Sequence, residues 1–234
     1  MMFFDPYYFL FLLPGILLAA WAQWRVHRAF GRASEIHARS GLSGAQAAAQ
    51  LLDTHGLENV GVEYSHGFLS DHYDPRAKVL RLSPDVYRGR SLAALGIASH
   101  EAGHAFQDAQ RYPLLVVRNA LVPLAHFGSN ASWFIIMIGF VLKLAGLVYI
   151  GIGLFSLMVV FQLVNLPVEF DASRRAREHL IDSGIISPDE EPKVAKVLNA
   201  AALTYVAATL TSILTLLYFL FRAGLLGGSS SDDD

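Results

Sequence analysis

The chain has 234 residues, 53% hydrophobic and only 16% charged, with positive mean hydropathy, a balance that belongs to a membrane protein. The absence of cysteine excludes disulfides, thiolate metal sites and a cysteine nucleophile, so any metal must be held by His, Asp or Glu. A formal charge of −2 gives no reason to expect a nucleic-acid partner.

Residues 7–24 form the first apolar run, interrupted only by Pro14 and Gly15, with Trp21 and Trp24 as interfacial anchors. Arg25, Arg28 and Arg32 follow this run instead of preceding it, and Asp5 stands where a signal peptide carries basic residues, so the run reads as a retained signal anchor. Residues 25–39 continue it as a basic, weakly amphipathic helix that could lie against anionic headgroups. Gly41-Leu42-Ser43 breaks that helix, and Ser43 is placed to cap another reaching His55, with Gly56 as its stop.

Segments 60–64 and 78–82 alternate in polarity and are predicted to form a short β-hairpin joined by an irregular loop containing Asp74-Pro75. An exposed edge of such a pair could hold an extended peptide as an added strand. His66 and His72 in the loop are candidate extra metal ligands, although loop histidines are usually solvated.

His100-Glu101-Ala102-Gly103-His104 is the most informative segment. Ser91 is a plausible N-cap, residues 92–109 contain no proline, and Pro113 closes the stretch, so the motif lies inside a predicted helix. At 3.6 residues per turn the two imidazoles share one face, about 6 Å apart, close enough to chelate one zinc ion. Glu101 then flanks the metal where a bound water would lie, in the position of a general base.

Residues 114–168 are mostly apolar and too many for one crossing, since about 20 residues span the hydrocarbon core. Spans are predicted at 118–142 and 146–166, with a turn near 143–146, and a fourth at 200–221. Arg118, Asn119 and His126 are costly in lipid and are expected to face the protein or the interface. Four spans put both termini on one side and segments 25–113 and 169–199 on the other. Of the eighteen Lys and Arg residues only Lys143 and Arg222 lie toward the terminal side, so the positive-inside rule makes the other side cytoplasmic.

A hydrolytic zinc site needs three protein ligands and an open position for water. The segment 165–175 supplies the missing ligand where the third span re-emerges. Glu169, just after Pro167, is the better candidate. Asp171 is the alternative, about 200° round the helix, so both cannot easily face one ion. Ser173 shares the Glu169 face at i+4, and its hydroxyl could hydrogen-bond a ligand.

The segments 72–76, 100–107 and 166–173 together resemble the YugP-like neutral zinc metallopeptidases of bacteria over most of the chain, and the plan is similar to the HtpX and CAAX-prenyl endopeptidase group. The resemblance implies Glu169 as third ligand and Glu101 as catalytic base. It departs at Ser173, where the wider group's pattern ends in Asp, so the orienting role is weakened there or moves to Asp171. For the group that steadies the transition-state oxyanion, Arg174, Arg175, His179 and Tyr73 are candidates.

The fold expected is a mainly α, four-helix integral membrane protein with a cytoplasmic zincin-like site and a short β-hairpin. It forms one domain over 1–234 with catalytic parts 41–113 and 167–199. The function expected is a zinc endopeptidase of the cell membrane, with one Zn²⁺ per chain and a peptide or protein substrate. The alternative is a zinc-stapled scaffold or adaptor without turnover. An intramembrane protease fits less well, because only residues 92–98 are apolar before His100, and a transporter less still, since no inverted repeat is evident. The polar stretch 227–234 reads as disordered.

Overall fold

A computed structural model describes residues 5–67 and 70–226; the tail 227–234, read above as disordered, lies outside the described residues. The elements are α1 (Pro6–Ser34), α2 (Gly44–Thr54), β1 (Gly61–Tyr64), β2 (His72–Asp74), β3 (Val79–Leu82), α3 (Pro84–Arg88), α4 (Leu92–Ala109), α5 (Pro113–Val141), α6 (Ala145–Asp182) and α7 (Glu191–Arg222). Helices α1, α5, α6 and α7 are long and apolar enough to cross a membrane, and each overlaps one predicted span. Between α5 and α6 the backbone turns at Lys143, whose φ of 56° is left-handed.

Two compact units partition the chain. One comprises the described parts of Met1–Trp21, Val117–Leu166 and Tyr205–Asp234. Its core gathers Ile136, Val148, Ile152, Tyr218 and Phe219. A Cβ added at Gly151 would lie 2.4 Å from Ile136 Cγ1, and one at Gly139 2.8 Å from the Val148 amide nitrogen, so small residues set the α5/α6 contact as they do between membrane helices. Large apolar side chains point outward instead: Phe127, Phe134 and Val141 are 68%, 68% and 74% exposed. Such a surface suits a hydrocarbon solvent. Arg118 turns into the protein, donating to Asn165 Oδ1 and Asn119 Oδ1, both at 3.1 Å, whereas His126 is exposed.

The other unit comprises Ala22–Val116 and Pro167–Thr204, which brings together the two polar segments that the span count assigns to one side. Its core runs from Leu51 and Leu52 of α2 through Leu80 and Leu82 of β3 to Leu92, Leu95 and Phe106 of α4 and Leu180 of α6. Ser43 and Gln46 close a reciprocal capping box that starts α2, and Gly56 ends it with a φ of 70°.

The sheet corrects the predicted hairpin. Its order is β1-β3-β2, with β1 parallel to β3 and β2 antiparallel to β3. Both predicted strands exist, but the connection between them is long enough for the crossover that a parallel pair requires. Within that connection lies the third strand, β2, which pairs with the opposite edge of β3 and forms the actual hairpin. Strand periodicity reports which face is buried; it says nothing about partner or direction.

Candidate metal centre

Helix α4 starts at Ser91, whose hydroxyl accepts the Ala94 amide at 3.2 Å, so the periodicity expected from the motif is laid down from its cap. His100 and His104 stack one turn apart, with ring centroids 4.9 Å apart and planes at 83°. Glu169 arrives on α6, whose backbone runs directly against the motif. A Cβ at Gly103 would fall 2.6 Å from the Ala172 carbonyl oxygen, so only glycine at this position admits α6 to that distance.

The Glu169 carboxylate oxygen Oε2 lies 3.3 Å from His100 Nε2 and 3.6 Å from His104 Nε2, and the three candidate ligand atoms are within 4.8 Å of one another. Charge-assisted hydrogen bonds are shorter, about 2.7–2.9 Å. Two ligands at about 2.1 Å on a tetrahedral zinc are instead about 3.4 Å apart, the edge of the tetrahedron. The spacing therefore fits a metal between the three groups better than direct contact among them. Glu169 is buried while both imidazoles remain partly exposed.

Surrounding hydrogen bonds fix one histidine's tautomer. Gln107 Nε2 donates to the Val168 carbonyl at 2.8 Å and to Asp171 Oδ2 at 2.9 Å, both acceptors only. Its Oε1 must therefore be the atom facing His104 Nδ1 at 3.0 Å, and that nitrogen must carry the hydrogen. In neutral His104 the lone pair is then on Nε2, the nitrogen on the Glu169 side, which is the tautomer a metal ligand needs. On the other side Ser173 Oγ lies 3.0 Å from His100 Nδ1.

Asp171 lies outside the candidate cluster and is engaged by Gln107, Arg174 and Arg175. Burial opposes a charge on His104, but the Glu169 carboxylate, then Glu101, outweigh it and raise its pKa above the ordinary imidazole value. The pocket is thus one that attracts positive charge.

Glu101 is engaged from the sheet. The Tyr73 backbone amide of β2 donates to Glu101 Oε2 at 3.1 Å. The Tyr73 hydroxyl goes elsewhere, donating at 2.7 Å to Asp108 Oδ2, which also pairs with Lys78. Burial and that carboxylate raise the Tyr73 pKa, so the phenol stays protonated.

The remaining oxyanion candidates have other partners. Arg174 pairs with Asp171 and Glu178, Arg175 with Asp171 and Gln110, and His179 Nδ1 lies 3.0 Å from His55 Nε2 beside the Phe106 ring. His66 meets the Tyr64 ring edge-on, and His72 Nδ1 contacts the Ser70 carbonyl at 2.8 Å. Neither belongs to the ligand cluster.

Sequence reasoning singled out no role for Gln107, although its position at i+3 from His104 was a readable signal. The Tyr73 amide was beyond reach, since a backbone donor leaves no mark in the residue pattern.

No solved structure matches this chain at a significant level. A curated relative, "Putative membrane protease YugP" of Bacillus subtilis (strain 168), is 47% identical over 212 residues, covering 90% of this chain and 94% of the relative. The family described as "Putative neutral zinc metallopeptidase" matches residues 8–224, and the chain belongs to that family.

Proposed function

We propose that the protein is a membrane-embedded zinc endopeptidase, with His100, His104 and Glu169 as the ligands of one zinc ion and Glu101 as the general base. The observation that carries this reading is the meeting of three ligand atoms from α4 and α6 at the spacing of a zinc tetrahedron's edges. Zinc held there supplies Lewis acidity and a coordinated water with a pKa near ~7. Glu101 takes a proton from the attacking water and returns it to the leaving amine. The Tyr73 amide holds one Glu101 oxygen and leaves the other to receive that proton. Gln107 keeps His104 in the ligating tautomer, and Ser173 orients His100.

The scaffold reading has less support. A structural zinc usually fills four protein positions, and among the described residues this cluster supplies three. We further read the chain as one membrane peptidase domain, its spans at 7–24, 118–142, 146–166 and 200–221, its catalytic parts at 41–113 and 167–199, and its site facing the cytoplasm, where the positive charge collects. An extended peptide would add beside β2, the edge strand in contact with Glu101, instead of beside a β1/β3 hairpin.

Replacing Glu101 tests the mechanism. Glu101→Gln retains about one zinc per chain and loses roughly 10²–10⁴-fold in peptide cleavage. Cleavage at the wild-type rate would remove Glu101 from the base role, and zinc retained by Glu169→Ala would remove Glu169 from the ligand set.

A further inference from the structure

A pocket of about 460 Å³ lies between the polar end of α1 and the first turns of α7, lined by Arg25, Arg28, Arg32, Lys193 and Lys196 together with Trp24. No carboxylate lines it, although acidic residues outnumber basic ones in the chain, 20 to 18. Positions 25, 28 and 32 follow the helical i, i+3, i+7 spacing, so the three arginines share one face of α1. Ala29 and Ala33 of the same face pack with Ala93 and Val197, giving the pocket a small apolar floor under cationic walls.

Arg39, Lys78, Arg81, Arg174, Arg175 and Arg177 of this unit each pair with a carboxylate. Arg76, Arg88, Arg90 and Arg111 are, like Arg28, Arg32, Lys193 and Lys196 of the pocket, without a carboxylate partner among the described residues, but they line no common pocket with those four. Arg28 instead lies 5.1 Å over the Trp24 ring. Lys193 also sits in the first turn of α7, where the helix macrodipole is positive and a cation is disfavoured. An anion in the pocket would offset both costs.

Position along the chain selects the anion. Arg25 directly follows the apolar run 7–24, and Lys196 shortly precedes the apolar run 200–221, so both helices reach the pocket where their sequences leave the hydrocarbon. Trp24 marks the same level as an interfacial residue. We propose that this pocket binds the phosphate headgroup of one anionic phospholipid, with Arg28, Arg32, Lys193 and Lys196 as its charge contacts. The metal centre has no part in it.

The test uses the full chain in nanodiscs of equal phosphatidylglycerol and phosphatidylcholine, followed by native mass spectrometry of the lipid retained. Wild type keeps phosphatidylglycerol preferentially, about one molecule per chain. Replacing all four cations by Gln lowers the phosphatidylglycerol-to-phosphatidylcholine ratio by at least about tenfold, since each cation near an anionic headgroup contributes on the order of fivefold. The exposed single variants Arg32→Gln and Lys196→Gln each lower it about fivefold and carry the test should the quadruple variant fail to fold. A charge-matched variant elsewhere, with Arg76, Arg88, Arg90 and Arg111 changed to Gln, keeps the wild-type ratio. An unchanged ratio in the pocket variants, or an equal fall in both quadruple variants, overturns the site. Displacement of the lipid by millimolar inorganic phosphate overturns the lipid assignment in favour of a soluble phosphate ligand.

Discussion

The flank of the metal centre around His104 and the flank around His100 are built differently, although the two residues stand one turn apart on α4. His104 leans on Gln107, which is itself held by the Val168 carbonyl and by Asp171, and Asp171 is held in turn by Arg174 and Arg175. His100 leans on the Ser173 hydroxyl. A chain of acceptor-only groups leaves His104 one possible tautomer, whereas a hydroxyl can donate or accept and leaves His100 free to adjust. On the proposed reading one ligand therefore sets the geometry and the other conforms to it. The departure of Ser173 from the wider group's Asp falls on the adjustable side.

Disturbing the helix contact that serves both flanks should have the largest effect. Gly103→Ala drives a methyl into the Ala172 carbonyl, and overpacking of this kind costs about 1–3 kcal/mol of stability. Because Glu169 moves with α6, zinc content should fall further than in any variant of a single support, as read by thermal unfolding and metal analysis. A wild-type melting temperature and full zinc would show that the helices have slack.

The asymmetry itself is sharpened by a pair of variants. Gln107→Leu frees the His104 tautomer and should weaken zinc binding about 10–100-fold, the usual effect of removing a ligand's hydrogen-bond partner. Ser173→Ala should lower it by less than about tenfold, and Ser173→Asp should restore or tighten binding by giving His100 a carboxylate of its own. Equal losses at Gln107 and Ser173 in a zinc competition titration would erase the distinction between the flanks.

The smallest expected effect lies in the β2–β3 turn, which carries the strand that holds Glu101. Arg81, then the amides of Ala77 and Arg76, hold the Asp74 carboxyl down from 3.8 to about 2. With the folded value depressed, this stabilisation is in full force above about pH 4 and is lost as pH falls through about 2. Hydrogen exchange at the Ala77 amide should quicken across that window in wild type, while Asp74→Asn shows fast exchange throughout. A pH-independent difference between the two would leave the carboxylate without a role in the turn.

Much of this site could be read before any coordinates. The motif, the Ser91 cap and the apolar runs are local patterns, and local patterns survive folding. Glu169 was preferred over Asp171 for its place just after Pro167, and helical angles said only that the two cannot easily share one ion; Asp171 points to Gln107 and its arginines. Ser173 was placed on the ligand's face by those angles, and its hydroxyl reaches His100. What escaped was non-local. The parallel pairing of β1 with β3 and the three-residue strand β2 depend on a crossover that no periodicity records. Arg174 and His179 were listed for their chemistry and are occupied by neighbours that only the fold reveals.

The close passage of α6 over Gly103 also bears on the order of events during synthesis. Glu169 is translated only after the whole apolar stretch that follows His104, so a nascent chain in which the α4 motif has been made still lacks the proposed acidic ligand. On the proposed reading the growing polypeptide cannot cut itself or the insertion machinery. On that same reading activity would begin when the returning helix docks, and completed biogenesis would be the enzyme's own safety catch.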